Sequence, residues 1–200
     1  GEGVVHSYRF KPSNDGEMFD TAFGYRTFLK QAKERAEAAG IQYIVTADIA
    51  DFYPRVYSHP LENALPVATA KTSHINAVLR FLSQLNQGVS YGLPVGPSGS
   101  RILAELVLSD VDRLLLSDGI SFVRFVDDYR IFCTSEREAY NALAKLAHAL
   151  FENHGLTLQQ HKTKILTAAE YLGGLAPDHE DLERARLSEE FERIVDELGM

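Results

Sequence analysis

The segment covering residues 121–132, with the sequence SFVRFVDDYRIF, constrains the fold of this chain more than any other segment. Its apolar runs, 122–126 and 129–133, are rich in Phe, Val, Tyr and Ile and predict two β-strands. Asp127 and Asp128 separate the runs. Because Asp is depleted in strands and favoured in tight turns, the pair predicts the bend of a β-hairpin. Adjacent carboxylates repel each other, so such a pair either stays in water or receives a cation.

The bulk properties are those of an ordinary globular protein and exclude several classes. With 200 residues, 45% hydrophobic and 24% charged, the chain can form one domain with a real core. The lone cysteine, Cys133, rules out a disulfide framework within the chain and favours a reducing, cytoplasmic location. No apolar stretch approaches membrane-spanning length, so we expect no membrane partner. The net charge of −8 argues against a strongly basic nucleic-acid clamp within these residues.

Helix and strand signals recur along the rest of the chain. We expect further strands over 41–47 and 163–167, and helices over 28–39, 73–85, 98–116, 135–154 and 188–198. Ser135 and Glu138 form a capping box at the start of the helix over 135–154. Residues 57–67 are predicted to be mostly loop, and residues 171–175 a tight hairpin. The residues expected to point inward are Ile102, Leu103, Leu106, Val111, Leu114 and Leu115 on the helix over 98–116, and Tyr140, Leu143, Ala147, Leu150 and Phe151 on the helix over 135–154.

The central elements follow the order β-α-β-β-α-β, which is the split βαβ arrangement of an α+β domain. In that topology the first and third strands are neighbours at the centre of the sheet. Asp48, at the end of the first strand, is therefore expected beside Asp127 and Asp128. Three convergent carboxylates repel one another and call for divalent cations, and hard oxygen ligands suit Mg²⁺ or Mn²⁺.

The motifs TADIADFY, GLPVGPSGS, FVDD, LTLQQHKTKI and YLGGL resemble, in this order, successive motifs of the reverse transcriptase palm. GYRTF, just upstream, is similar to a fingers motif. The resemblance implies a partial fingers region over 1–40 and a palm over 41–176. An acidic linker and C-terminal helix would follow over 177–200. The start at Gly-Glu-Gly rather than Met indicates a piece of a longer protein, whose remaining fingers and thumb regions would be partners of this one.

The resemblance also implies roles for the acidic residues. Asp48 and Asp127 match the two main metal-binding aspartates, and Asp128 matches the second acid of the pair, which matters less if its side chain points partly away. Ile49 would contribute a backbone carbonyl. The cofactor would be two Mg²⁺ ions, with Mn²⁺ as a substitute. Lys162 resembles the lysine that protonates departing pyrophosphate; a solvated surface lysine is the alternative.

A second set of residues would bind the nucleotide. Tyr53 matches the bulky ring beneath the sugar that excludes a 2′-hydroxyl group; a buried core aromatic is its alternative. Arg26, and less surely Arg9, would contact triphosphate or template; surface arginines are the alternative. The whole nucleotide-binding set implied by the resemblance is Ile49, Ala50, Asp51, Phe52, Tyr53, Val95, Gly96 and Arg26.

Two departures from the family pattern refine the expected function. Val95 stands where many reverse transcriptases carry Gln, and Phe125 stands where Tyr is usual. The combination of GLPVGP with FVDDY resembles bacterial proteins of phage defence and abortive infection. The implied function is RNA-directed DNA synthesis from dNTPs on an RNA or DNA primer-template. Two alternatives remain open: template-independent synthesis primed by a protein hydroxyl, and an inactive palm that acts as an interaction scaffold. An oligomer is also possible.

Two other protein classes share parts of this pattern. Nucleotide cyclases of the GGDEF type have the palm topology but place a glycine-rich acidic signature in the hairpin, where this chain has FVDDY. Phospho-receiver domains place their acidic pair after the first strand and before a loop and helix. Here a strand follows the pair at once and Asp48 precedes it, so both classes rank below the polymerase.

Overall fold

A computed structural model describes residues 3–14 and 16–175 of the chain; the linker and helix predicted over 177–200 lie outside the described residues. The elements in chain order are α1 (Tyr25–Ala36), β1 (Tyr43–Asp48), α2 (Phe52–Arg55), α3 (Ser58–Ala68), α4 (Thr72–Leu85), α5 (Ser98–Ser117), β2 (Ser121–Phe125), β3 (Asp128–Cys133), α6 (Glu136–His154), β4 (Lys164–Thr167) and α7 (Ala168–Gly174). Within the described ranges, no helix has the length and apolar character needed to cross a bilayer.

The four strands form one antiparallel sheet in the order β2-β3-β1-β4. This order confirms the predicted split βαβ topology, with the first and third strands adjacent at the centre. The register pairs Tyr43 with Cys133 at one end of β1 and Asp48 with Asp128 at the other. The end of β1 therefore lies directly beside the β2–β3 hairpin, as the sequence predicts.

Each face of the sheet is covered by its own group of helices, because strand side chains alternate between the two faces. On one face, Val45, Phe122 and Ile131 pack with apolar residues of α5 and α6 in the larger core. On the other face, Ile44, Val123 and Phe132 pack with residues of α1 and α7 in a smaller core. Asp48 and Asp128 lie on the second face, because each is an even number of residues away from Ile44 or Phe132 on its strand.

The N-terminal segment lies along the outer edge of β2. Val5 forms a parallel bridge with Arg124. The Arg124 amide donates to the Val4 carbonyl at 2.7 Å, and the His6 amide donates to the Arg124 carbonyl at 2.9 Å. The side chain of Arg35 donates to the Gly3 carbonyl from α1. The start of the described chain is thus attached to the sheet that carries the acidic pair.

Two segments have a different local structure from the one predicted. Residues 57–67 were expected to be mostly loop, but α3 covers almost all of them. Pro60 lies in the first turn, where its missing N–H costs no helical hydrogen bond. Residues 171–175 were expected to form a hairpin, but residues 171–174 belong to α7 and Leu175 is its C-cap; the helix begins with a capping box of Thr167 and Glu170.

The inward faces predicted for the two long helices were partly wrong. Val111 and Leu115 on α5 and Leu150 on α6 are buried as predicted. Tyr140 and Phe151 are instead about 60% exposed. The face of α6 that meets the sheet consists mainly of small residues and two leucines, namely Ala139, Ala142, Leu146, Ala149 and Leu150. Size therefore misled the prediction, because close helix–sheet packing selects small side chains.

Candidate active site

The bend of the hairpin is shifted by one residue from its predicted place. Phe125 pairs with Asp128, so the two-residue turn consists of Val126 and Asp127, and Asp128 is the first residue of β3. Val126 has φ of +54°, which is unusual for a β-branched residue. Asp127 thus projects from the tip of the turn, whereas the orientation of Asp128 is set by the strand.

Asp48 is paired with a lysine from a distant loop. The Lys162 ammonium lies 3.0 Å from Asp48 Oδ1 and its side chain is 64% exposed. Two bonds hold this loop against β1: the Gln159 amide donates to the Asp48 carbonyl, and the Thr46 hydroxyl donates to the Lys162 carbonyl. The hydrogen bond to Asp48 raises the pKa of the Lys162 amine. The structure therefore places the predicted proton donor beside a predicted metal ligand.

Asp128 is held by Arg130, which the sequence reading did not single out. Arg130 donates to both carboxylate oxygens of Asp128 in a bidentate pair. The pairing could have been predicted from the sequence, because residues two apart on a strand share a face. This pairing agrees with a lesser role for Asp128 in metal coordination, since both of its oxygens already accept hydrogen bonds.

Burial raises the proton affinity of both acids of the hairpin. Burial, with the nearby charges of Asp48 and Asp128, raises the pKa of Asp127 from 3.8 to about 6. Burial also raises the pKa of Asp128, although Arg130 opposes that shift. A bound cation would relieve this penalty. Within residues 3–14 and 16–175, however, no three His, Cys, Asp or Glu side chains are already gathered closely enough to hold a metal ion.

A backbone carbonyl can complete the donor set. The Ile49 amide donates to the Asp127 carbonyl at 3.1 Å, while its neighbours on either side bond to the opposite segment at Thr157 and Gln159. The N–H and C=O of one extended residue point to the same side of a strand. The Ile49 carbonyl therefore faces the Asp127 turn, and the hard oxygen donors at this place fit Mg²⁺ or Mn²⁺.

Tyr53 lies close to the acidic turn. It sits on α2 next to Phe52, which is buried in the core, while Ala50 and the exposed Asp51 form the tight turn before α2. Burial raises the pKa of Tyr53 to about 12, with a further contribution from Asp127 among other charges. The Tyr53 ring is half-buried and packs against the larger core. This packing is that of the alternative, a partly buried core aromatic, and the sugar-contact role stays a prediction.

The glycine-rich segment is tied to the Tyr53 helix by backbone bonds. The Leu93 amide donates to the Tyr53 carbonyl at 2.8 Å, and the Gly92 amide donates to the Val56 carbonyl at 2.8 Å. Val95 is 75% exposed, and Gly96 has φ of +110°, which a side chain would strain. The segment that carries both residues is therefore fixed near Tyr53.

The predicted arginines lie on two other segments, α1 and the N-terminal segment. Arg26 is exposed in the first turn of α1. The Arg9 guanidinium stacks over the Phe23 ring at 3.7 Å, which is the environment of an arginine packed on an aromatic surface. Phe125, the other departure from the family pattern, packs edge-on against Tyr25 and contacts Phe28. Because these neighbours are aromatic rings, Phe125 fills its position without the hydroxyl group of the usual Tyr.

The sequence reading also missed a buried polar network beneath the turn. Arg124 is 1% exposed and pairs with Asp112 through two hydrogen bonds. It further donates to the Val126 carbonyl. The signal was a charged residue in the middle of an apolar strand, which requires a buried partner.

The fold and this site define a nucleic-acid polymerase palm. The family model "Reverse transcriptase (RNA-dependent DNA polymerase)" matches residues 7–174. The chain therefore belongs to the reverse transcriptase family, as its motifs predict.

Solved structures with a similar fold include two of telomerase. Apo telomerase from Candida tropicalis is 13% identical, with a TM-score of 0.53 over 71% of this chain and 32% of that chain. A form truncated from the C-terminal domain is 14% identical, with a TM-score of 0.51 over 71% and 34%. The likeness at these identities concerns the fold, and this chain spans about a third of those chains. No curated protein matches it.

Proposed function

We propose that this chain carries the active site of a reverse-transcriptase-type DNA polymerase, which adds deoxynucleotides to a 3′-hydroxyl group. The observation that carries the proposal is the convergence of Asp48, Asp127 and Asp128 at one end of the two central strands. Family membership supports nucleotidyl transfer in general. The retained acids, with their mutual repulsion, support this chemistry for this particular chain.

Asp48, Asp127 and the Ile49 carbonyl would hold two Mg²⁺ ions, or Mn²⁺, with Asp128 in a lesser role. When bound, the ions would lower the pKa of the primer hydroxyl and neutralise charge on the triphosphate. Lys162 would donate a proton to the leaving pyrophosphate. The position of its ammonium, 3.0 Å from Asp48 Oδ1, supports this role, because it puts a proton donor beside a predicted metal ligand.

The residues around Tyr53 would form the nucleotide site. The half-buried Tyr53 ring would lie under the sugar and exclude a 2′-hydroxyl group. The backbone of Ala50, Asp51 and Phe52 would face the triphosphate, and Val95 and Gly96 would line the sugar and template side. Arg26, on the fingers side, would bind triphosphate or template. The backbone bonds from Leu93 to Tyr53 and from Gly92 to Val56 support a single pocket built from these segments.

The substrates would be dNTPs and an RNA or DNA primer-template, and the setting would be antiphage defence in the bacterial cytoplasm. The GLPVGP and FVDDY forms of the motifs support this setting. The exposed Val95, which cannot donate a hydrogen bond, also supports a second candidate, template-independent synthesis primed by a protein hydroxyl. Both candidates use the same acids.

The test is incorporation of labelled dNTPs by the protein's full-length form with Mg²⁺ or Mn²⁺. Three reactions receive a primed RNA template, a primed DNA template or no nucleic acid, beside an Asp127→Asn/Asp128→Asn control. Templated incorporation that the control lacks supports a conventional reverse transcriptase. Label attached to the protein without a template supports the protein-primed candidate. No incorporation in any reaction, with no Mn²⁺ binding, refutes the catalytic proposal and leaves the scaffold.

A further inference from the structure

The Val126–Asp127 turn is held in an unfavourable backbone conformation. Val126 has φ of +54° although it is β-branched, and its side chain is only 6% exposed. A non-glycine residue persists in the left-handed region only where its surroundings impose it. Asp127 follows directly, so whatever holds Val126 also determines where the Asp127 carboxylate points.

The amide of Val126 is held by a serine from the other end of the chain. The Val126 N–H donates to Ser7 Oγ at 2.9 Å. The Ser7 hydroxyl donates in turn to Glu105 Oε1 on α5 at 2.5 Å. Ser7 is 2% exposed, so water does not offer an alternative partner for the Val126 amide.

The carbonyl of the same residue is held by a buried arginine. Arg124 Nη1 donates to the Val126 carbonyl at 2.7 Å. The other guanidinium nitrogens donate to Asp112 Oδ1 and Oδ2, which fixes the plane of the group. Nη1 also lies 3.0 Å from Glu105 Oε2, so the serine branch and the arginine branch meet at Glu105.

A buried arginine between two acids is costly if it serves stability alone, because apolar residues of similar volume commonly do as well. Here Arg124 donates to the Val126 carbonyl directly. Ser7, which Glu105 links to Arg124, accepts from the Val126 N–H. We propose that Ser7, Glu105, Asp112 and Arg124 form a turn clamp, which holds Val126 in its left-handed conformation and so positions Asp127. None of the four touches substrate, so they are positioning residues. The inference rests on the proposed function for its effect on catalysis, but not for its effect on the turn.

The experiment compares three variants with the wild-type full-length protein. Ser7→Ala removes the hydroxyl that accepts from Val126. Ser7→Thr keeps the hydroxyl. Ser109→Ala is the matched control, because its hydroxyl donates only to the Leu106 carbonyl within α5. The measurements are hydrogen exchange of the Val126 amide, dNTP incorporation kinetics and the Mg²⁺ concentration for half-maximal activity.

We expect the wild-type Val126 amide to be protected although it lies in a turn. In Ser7→Ala its exchange should accelerate about tenfold or more. kcat should fall ~10-fold with KM for dNTP within about twofold, and half-maximal activity should need several-fold more Mg²⁺. Ser7→Thr should restore exchange and kcat to near wild-type values, and Ser109→Ala should leave both unchanged.

The results that would overturn the clamp do not depend on the proposed function. An unprotected Val126 amide in the wild-type protein refutes it without any variant, even if Ser7→Ala fails to fold. Equal exchange in Ser7→Ala and wild type also refutes it. If the wild-type protein is active and Ser7→Ala has the same kcat and Mg²⁺ requirement, the clamp fails while the polymerase proposal stands. A wild-type protein inactive in all three reactions refutes the polymerase proposal, and amide exchange still decides the clamp.

Discussion

Replacing Asp127 with asparagine should stabilise the protein in the absence of metal. The pKa of the Asp127 carboxyl is raised from 3.8 to about 6 in the folded state. This difference corresponds to ~3 kcal/mol at about 1.4 kcal/mol per pH unit. Asp127 retains partial contact with solvent, which lessens the cost of burying its charge and screens the repulsion, so we expect a gain of ~1–2 kcal/mol at pH 7.5. Asparagine has nearly the same shape and removes the repelling charge.

The pH dependence has a defined sign. Because the folded state binds this proton more tightly than the unfolded state, ionisation of Asp127 lowers the free energy of unfolding as pH rises from about 4 to about 6. The asparagine variant lacks this loss. Its advantage over wild type should therefore be near zero at pH 4, grow through pH 6 and level off above pH 7.

Urea unfolding at several pH values, without divalent ions, measures this advantage. Asp118→Asn is the control, because Asp118 forms a surface ion pair with Lys145 and its loss should cost ~1 kcal/mol or less. Added Mg²⁺ should then stabilise wild type more than the Asp127 variant, since a ligand stabilises the state that binds it. An asparagine variant that is no more stable than wild type at pH 7.5, or whose advantage does not vary with pH, would refute this account of the site.

Three further predictions concern neighbouring residues. Tyr53→Val should raise ribonucleotide incorporation relative to deoxynucleotide incorporation by ~10-fold or more, whereas Tyr53→Phe should keep the selectivity. Competition between the two kinds of nucleotide measures this selectivity. Equal selectivity in both variants would contradict the sugar-contact role. Arg130→Met should lower the free energy of unfolding, measured in urea, by roughly 3 kcal/mol, because it leaves the Asp128 carboxylate without its bidentate partner. The additional change Asp128→Asn should recover most of that loss. Lys162→Ala should change the free energy of unfolding by less than ~1 kcal/mol, because the side chain is exposed. It should lower the single-turnover rate of incorporation about tenfold or more. An unchanged rate would assign Lys162 to the solvated surface.

The parts of the fold that sequence predicted well are those fixed by local chemistry. The apolar runs around the acidic pair, the cap at Ser135 and the end of α6 at Gly155 each depend on neighbouring residues. The convergence of Asp48 with the hairpin followed from topology once the element order was known. The bend moved by one residue because the register of β2 and β3 places Val126, rather than Asp128, in the turn.

The parts that sequence did not predict depend on tertiary contacts. Nothing near Arg124 in sequence reveals that Ser7 and Glu105 join it beneath the turn. The exposed Tyr140 on α6 shows that residue type alone does not decide which helix face meets a sheet. Strand alternation places Arg130 on the same face as Asp128, so this pairing could have been predicted from the sequence. The roles of the site residues stay predictions until the incorporation and metal-binding measurements are made.

The attachment of the N-terminal segment also covers an edge of the sheet that could otherwise pair with another molecule. An outer strand with free amide and carbonyl groups is a template for pairing with another molecule. Residues 4–6 occupy that position on β2, and Arg35 fastens Gly3 beside them. The opposite outer strand, β4, is only four residues long and begins with a lysine. A shortened version that starts after Ser7 would uncover the outer edge of β2, so we expect it to aggregate more readily than the chain that keeps this segment.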